Sequence, residues 1–204
     1  MGVAATWGPR VSGVVRRLPT WPVYLAGMAP GAWLLWQAAV RGAYVDPVET
    51  LEHELGTLGL QFLLASLAVT PLLRFARINL VKFRKALGLL AFGYVTLHAL
   101  VWLTLDLGLR WGLVGAEIVK RPYLTLGFAA LVLLVPLAAT SWRGAVRRLG
   151  TRSWTRIHRL VYPAVILGMI HVVMQEKVWS LEVILYVVLT VALVSARALW
   201  IRQM

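Results

Sequence analysis

The sequence contains no cysteine among its 204 residues. Disulfide bonds, iron–sulfur clusters and thiolate zinc sites all need cysteine, so each of these is excluded. The absence also means that cysteine usage gives no information about the redox state of the protein's compartment.

Charged residues are scarce as well, at 14% of the chain against 60% hydrophobic residues. A soluble domain has about a quarter of its residues charged, so this composition indicates several membrane spans. The net charge of +13 does not indicate nucleic-acid binding, because the basic residues lie between apolar stretches and not on one face of a soluble domain.

Six apolar stretches are long enough to cross a bilayer, which takes roughly 20 helical residues. They cover residues 21–40, 55–73, 86–105, 122–141, 157–175 and 178–197. None has the small-residue cleavage pattern of a signal peptide, so the first stretch is expected to remain in the protein. The sequence therefore predicts an all-α integral membrane protein, a six-helix bundle forming one domain over residues 1–204, with a short cytoplasmic segment at 1–20.

The basic residues are divided unequally between the two sides of this bundle. Sixteen of the twenty-one lie in the N-terminal segment, in 74–85, in 142–159 or at the C-terminus, whereas all eight acidic residues lie on the opposite side, in or next to its connections. Because short loops rich in lysine and arginine stay in the cytoplasm, both termini are expected to be cytoplasmic. The outer face is then the acidic one.

Two histidines lie inside predicted spans, where ionisable side chains usually mark function. His98 lies thirteen residues beyond Lys85 in the third span, and His171 lies thirteen residues beyond His158 in the fifth. Both spans enter from the cytoplasmic side, so the two imidazoles are expected at similar depth. Such a pair can ligate a b-type haem or can simply bridge two helices by hydrogen bonding, and the spacing alone leaves both interpretations open.

His158 is predicted at the cytoplasmic mouth of the fifth span, on the same helix as His171 but on a different face. The third span offers only Arg84 and Lys85 at that level, and neither is a usual haem ligand, so one haem is expected. His158 is left as an alternative ligand, a contact to a second cofactor or an interfacial residue. His53 is expected to be a solvated residue of an acidic outer loop.

Two basic clusters, 77–85 and 142–159, are expected to determine topology and to contact anionic lipid. Arginine also pairs well with anionic groups such as haem propionates or a flavin phosphate. The candidates for such cofactor contacts are Arg77, Arg84, Arg156 and Arg159.

The segments NLVKFRKALGLLAFGYVTLHALVW and LGTRSWTRIHRLVYPAVILGMIH resemble the haem-binding membrane subunits of bacterial periplasmic methionine sulfoxide reductase systems. Those subunits belong to the ferric reductase-like transmembrane family. The shared pattern is R-K-x-L-G, then H, then W-x-x-x-H-R-L-x-Y, then H, and the resemblance extends from the first predicted span to the C-terminus. The family's three histidines correspond to His98, His158 and His171.

The resemblance implies a b-type cytochrome of the bacterial inner membrane, with haem b ligated by His98 and His171 between the third and fifth transmembrane helices. It implies electron transfer to a periplasmic molybdenum-cofactor methionine sulfoxide reductase subunit that repairs oxidised proteins. The donor would be quinol or a cytosolic flavin reductase, and FMN is a second cofactor of some relatives. Such a subunit has no substrate chemistry of its own, so no catalytic residue is expected.

Two other functions are compatible with the sequence. One is a stand-alone transmembrane oxidoreductase that reduces ferric chelates or oxygen directly. The other is a non-redox membrane scaffold whose histidines only bridge helices. Activity without any partner would identify the first, and folded, functional protein without a cofactor would identify the second.

Overall fold

The computed structural model describes residues 4–202, with side chains described for residues 8–199, and this part of the chain is helical with no strand. The α-helices are α1 (Ala4–Arg17), α2 (Trp21–Trp36), α3 (Pro47–Phe75), α4 (Arg84–Val101), α5 (Trp111–Lys120), α6 (Pro122–Ala139), α7 (Ala145–His158), α8 (Val161–Gln175) and α9 (Leu181–Arg202). Single π-helical turns, Gln37–Arg41 and Trp102–Asp106, extend α2 and α4, and a short 3-10 turn, Val81–Phe83, precedes α4.

Six helical segments are long and apolar enough to cross a membrane. They are Trp21–Arg41, Pro47–Phe75, Val81–Asp106, Pro122–Ala139, Ala145–Gln175 and Leu181–Leu199. Large apolar side chains such as Leu25, Leu185 and Val188 are exposed on the outside of the bundle, as lipid contact requires. The prediction of an all-α protein with six spans is confirmed, and the chain is a multi-pass membrane protein.

The second spanning helix begins at Pro47 and not at residue 55, where the apolar run begins. Asp46 caps it by accepting a hydrogen bond from the Glu49 N–H at 3.0 Å, and a proline at the first position also favours a helix start. Leu51 and Leu55 are buried on its inner face. The prediction that His53 lies in a loop is therefore wrong, because it lies in the second turn of α3.

The segment 151–171 forms two helices where the sequence analysis predicted one. α7 ends at His158, a turn occupies residues 159–160, and α8 begins at Val161. Pro163 explains the break, because it has no N–H to donate to the carbonyl of Arg159 and its ring would collide with that carbonyl in a continuous helix. His158 and His171 thus lie on different helices.

Two further helices lie in connections that the sequence analysis treated as polar segments. α1 occupies most of the predicted N-terminal segment, while residues 1–3 lie outside the described part of the chain. α5 occupies most of the connection 107–121 and packs against α6. Both helices are too short to span a bilayer, which takes roughly 20 helical residues.

The spanning helices pack as an up-and-down bundle around one main apolar core. α3 packs along α4, α6 packs along α8, and α9 contacts both α3 and α8. The buried core residues come from these five helices: Leu60, Leu63, Leu64, Ala91, Leu134, Ala164, Val165, Met169 and Val183. We call the end with connections 18–20, 76–83 and 140–160 the basic end, and the end with connections 42–46, 107–121 and 176–180 the acidic end.

A tyrosine hydroxyl fastens α2 to α4. The Tyr94 hydroxyl donates to the Gly27 carbonyl oxygen at 2.6 Å and accepts from the Gly31 N–H at 2.9 Å. In a regular helix that N–H bonds to that carbonyl, so the hydroxyl contacts both groups of one backbone hydrogen-bond pair of α2. Glycine at position 31 lets the Tyr94 ring approach closely, glycine at position 27 makes room for Leu90, and Phe62 stacks on the Tyr94 ring with centroids 5.5 Å apart.

Tyr94→Phe is expected to lower the free energy of unfolding by about 1 kcal/mol, because the hydroxyl is lost while Gly31 N–H and Gly27 C=O can bond to each other within α2. Tyr94→Ala is expected to cost about 3–5 kcal/mol, since it also removes the ring from the core. Denaturant unfolding of the purified protein in detergent measures both. A Phe variant as unstable as the Ala variant would contradict this assignment.

Candidate functional site

The structure brings His98 and His171 together near the acidic end of the bundle. His98 projects from α4 and His171 from α8, and both rings are partly buried. Their ring centroids are 6.2 Å apart and their planes are inclined by 72°. Two imidazoles from facing spans therefore share one site.

Each ring is oriented by a backbone carbonyl on the neighbouring helix. His98 Nδ1 lies 2.7 Å from the carbonyl oxygen of Glu52 on α3, and His171 Nδ1 lies 2.7 Å from that of Tyr123 on α6. A carbonyl oxygen only accepts, so Nδ1 must carry the proton in both rings. A ring that stays neutral in these apolar surroundings then has its lone pair on Nε2, where a metal can bind.

A glycine on α3 and another on α6 allow the histidine rings to approach these carbonyls closely. Gly56 lies four residues after Glu52, and Gly127 lies four residues after Tyr123. A Cβ atom would lie 3.2 Å from His98 Nδ1 at Gly56 and 2.8 Å from His171 Nδ1 at Gly127. The pairs α3–α4 and α6–α8 thus carry the same local arrangement of histidine, carbonyl and glycine.

The geometry of the pair suits a single metal ion held between the two rings. An imidazole nitrogen lies about 1.1 Å from its ring centroid and a metal–imidazole bond is about 2.0–2.1 Å long, so two rings that held one metal ion would have centroids up to about 6.3 Å apart. The observed separation is 6.2 Å. No cluster of three or more His, Cys, Asp or Glu side chains occurs in the described part of the chain, so a metal here needs further ligands from a cofactor.

The cavity beside the pair is mostly apolar and has a polar mouth. It measures about 130 Å³, and the space between its lining side chains is about 1060 Å³ when the open mouth is included. At the mouth, His53 Nε2 lies 3.1 Å from Glu176 Oε1, which joins α3 to the end of α8. Glu52 Oε1 is buried there and has no hydrogen-bond partner among the described residues.

His158 lines a second, larger cavity of about 530 Å³ near the basic end. Its Nε2 lies 3.1 Å from Thr140 Oγ1, and its ring stacks on Trp154 with centroids 3.9 Å apart. Leu63 and Leu134 line both cavities and lie between them. The structure therefore separates His158 from the pair formed by His98 and His171.

The four arginines proposed to contact an anionic cofactor divide into two groups. Arg84 and Arg159 line the cavity at the basic end, and Arg84 also donates to Thr70 Oγ1 at 2.7 Å. Arg77 and Arg156 are exposed and line neither cavity.

Sequence reasoning missed Arg197, which also lines the cavity at the basic end, and it missed both glycine–carbonyl pairs. In each pair, a glycine lies four residues after the residue whose carbonyl accepts from the histidine: Gly56 after Glu52, and Gly127 after Tyr123. This spacing is the only signal for the pairs in the sequence. That spacing is common in membrane helices and gains meaning only from the facing histidines.

Comparison with known proteins assigns the chain to a family. The family model described as "Ferric reductase like transmembrane component" matches residues 54–169, which include His98 and His158 and end two residues before His171. A protein of Agrobacterium fabrum named "Protein-methionine-sulfoxide reductase heme-binding subunit MsrQ" is 45% identical over 177 residues, covering 87% of this chain and 82% of its own length.

Two further relatives have the same name, and one of them is similar over nearly the whole chain. The one from Brucella anthropi is 39% identical over 200 residues, covering 98% of this chain and 89% of its own length. The one from Brucella ovis is 41% identical over 180 residues, covering 88% and 80%. The similarity therefore extends well beyond the matched family model at both ends, and the chain belongs to the ferric reductase-like transmembrane family.

Proposed function

We propose that this protein is a b-type cytochrome subunit that carries electrons across a bacterial inner membrane to a periplasmic molybdenum-cofactor methionine sulfoxide reductase. The observation that carries the proposal is the pair of imidazoles 6.2 Å apart with both Nδ1 atoms bonded to carbonyls. The names of the relatives support haem as the cofactor, since each is called a heme-binding subunit.

The residues that would hold the haem are His98 and His171, through Nε2. A haem bound between them supplies a one-electron redox couple within the membrane. The carbonyls of Glu52 and Tyr123 fix the tautomer and the rotation of each ring, and they raise its basicity as a ligand. The apolar lining, which includes Leu60, keeps water away from the site.

His158 has no place in this ligand pair. Its Nε2 is engaged by Thr140, and Arg84 and Lys85 line the same cavity, where a second iron would need another ligand. We therefore propose one haem b per chain, because a second iron would lack a ligand opposite His158.

The distribution of charge supports an orientation for electron transfer. The basic end would face the cytoplasm under the positive-inside rule, so electrons would enter there from quinol or from a cytosolic flavin reductase. FMN, the second cofactor that the resemblance implies, would also be used at this end. Electrons would leave at the acidic end, close to the His98–His171 pair.

The periplasmic partner would dock on the acidic end. Asp46, Glu49 and Glu54 are exposed around the start of α3, beside the mouth of the cavity. A basic patch on the partner would complement this surface. Because such contacts are screened within about 10 Å at 0.1 M salt, the association should weaken as salt is raised.

Spectroscopy of the purified protein tests the proposal directly. We expect a Soret band that shifts on reduction, one haem per chain, and reoxidation only when both the partner and methionine sulfoxide are added. Rapid reoxidation by ferric chelates or oxygen without the partner would instead support a stand-alone reductase. Folded protein that retains no haem and still supports methionine sulfoxide reduction would rule out the cytochrome role.

A further inference from the structure

The helix α5 (Trp111–Lys120) lies across the acidic end of the bundle, between two membrane spans. Only residues 107–110 separate it from the π-helical turn that extends α4, and only Arg121 separates it from α6. The first connection is folded back, because the Leu109 N–H donates to the Leu103 carbonyl at 3.0 Å. Both ends of α5 are therefore held at the ends of spans, so the helix runs along the membrane boundary and not away from it.

The exposed surface of α5 is almost entirely apolar. Its exposed residues are Trp111, Gly112, Leu113, Gly115, Ala116, Val119 and Lys120. Glu117, the other charged residue of this helix, is half-buried and its Oε2 lies 2.9 Å from Arg121 Nε. A helix at a water surface has the opposite pattern, with its charged side chains outward. The exposed surface of α5 therefore suits apolar surroundings.

Basic side chains flank this apolar surface at both ends of the helix. Arg110 directly precedes α5, Lys120 is its last residue and Arg121 follows it, and all three are exposed. They are three of the five basic residues that the sequence places on this side of the bundle. A partner whose basic patch suits the acidic start of α3 would be repelled here, whereas lipid phosphate groups would be attracted.

The apolar surface of α5 also continues the surface that the bundle presents to lipid. α5 packs against α6, and large apolar side chains are exposed on both neighbouring spans and in the connection before α5: Leu100, Leu105, Leu109, Phe128 and Val132. An apolar helix that is too short to cross a bilayer is typical of a segment that lies in the membrane interface.

We propose that α5 is embedded in the membrane leaflet at the acidic end, with Trp111, Leu113 and Val119 among the acyl chains. Arg110 and Lys120 then extend to the phosphate groups at either end of the helix. The embedding matters for the cavity of the histidine pair, because Ile118 lines that cavity and its carbonyl accepts from the Thr125 hydroxyl on α6. Lipid that holds α5 in place therefore also holds one wall of this cavity.

The absence of cysteine allows the depth of single positions to be measured with a spin label. Val119→Cys and Leu113→Cys test α5, and Val45→Cys is the matched control, because Val45 is 108% exposed in another connection of the same end, next to Asp46. The full-length variants are placed in vesicles of phosphatidylethanolamine and phosphatidylglycerol. Collisions of each label with oxygen, which concentrates among acyl chains, are compared with collisions with a water-soluble nickel complex.

We expect the labels at 113 and 119 to collide more with oxygen than with the nickel complex, and the label at 45 to show the reverse. A label at 119 as accessible to the nickel complex as the label at 45 would overturn the proposal, and would leave this surface open to a soluble partner. A label at 119 that neither reagent reaches would also overturn it, and would indicate a protein contact such as a second copy of the chain.

Val119→Glu provides a second test in unlabelled protein. Glutamate forms helices more readily than valine, so in water this change would not destabilise α5. Among acyl chains the added charge is unfavourable, and we expect the melting temperature in the same lipids to fall by about 2–4 °C or more. Val45→Glu should leave it unchanged. An equal melting temperature for Val119→Glu and the wild type would contradict the embedding, and if the glutamate variant fails to fold, the spin-label depths decide. Neither test needs haem or a partner, so the result is independent of the proposed function.

Discussion

Replacing His98 or His171 with alanine is expected to remove haem from the protein. Each ring supplies one of the two nitrogens proposed to hold the iron, and His53, at the mouth of the same cavity, has its Nε2 bonded to Glu176. Loss of a ligand should weaken haem binding by more than the 10–100-fold that loss of a supporting contact typically costs a metal site. The haem-to-protein ratio after purification and the Soret absorbance measure this loss.

Two histidines of the same chain provide matched controls for this experiment. His53→Ala should retain haem, because that ring contacts Glu176 at the mouth of the cavity and is exposed. His158→Ala should also retain it, because His158 lines the other cavity and bonds to Thr140. Haem content in the His171 variant equal to that of the wild type would exclude the proposed pair. Loss of haem in the His158 variant alone would indicate that the haem binds at the basic end instead.

Gly127→Ala is expected to have the second largest effect, although it changes no ligand. The added methyl group would lie 2.8 Å from His171 Nδ1 and 3.0 Å from Cε1, closer than carbon atoms pack, so the imidazole must move. That movement breaks the hydrogen bond from Nδ1 to the Tyr123 carbonyl. We expect haem affinity to fall about 10–100-fold, as for other losses of a contact that orients a metal ligand.

Glycine substitutions elsewhere give a graded comparison for this prediction. Gly56→Ala should have a smaller effect, because its methyl group would lie 3.2 Å from His98 Nδ1 and a shift of a few tenths of an ångström relieves the contact. Gly93→Ala on α4 should have no effect, since nothing lies within 4 Å of its added methyl group. Transfer of haem to apomyoglobin gives the relative affinities. Equal rates for all three variants would show that the glycines serve helix packing alone.

The six spans could be predicted because hydropathy and length directly report the cost of placing backbone and side chains in lipid. The start of α3 could not, because its first two turns contain three glutamates that hydropathy assigns to a loop. The decisive local signal was Asp46–Pro47, a capping pair directly before the acidic residues. The break before α8 was similarly hidden within a long apolar run, where only Pro163 indicates it.

The equal spacing of His98 and His171 from the start of each span predicted similar depth, but depth does not determine which way a ring points. That depended on the carbonyls of α3 and α6 and on the glycines beside them, which come from helices that the sequence analysis did not connect to the histidines. The grouping of Arg84 with Arg197 also could not be anticipated, since these residues are more than a hundred positions apart and meet because α9 packs on α3, which itself packs along α4.

The two leucines that line both cavities, Leu63 and Leu134, affect whether protons can pass through the bundle. Each cavity extends into the bundle from one end, so these buried side chains form the layer between them. Neither side chain can hydrogen-bond water, so the layer that they form interrupts a chain of water molecules between the two cavities. Electrons need no such chain. If electrons cross the bundle as proposed, this partition would let them pass without opening a path for protons.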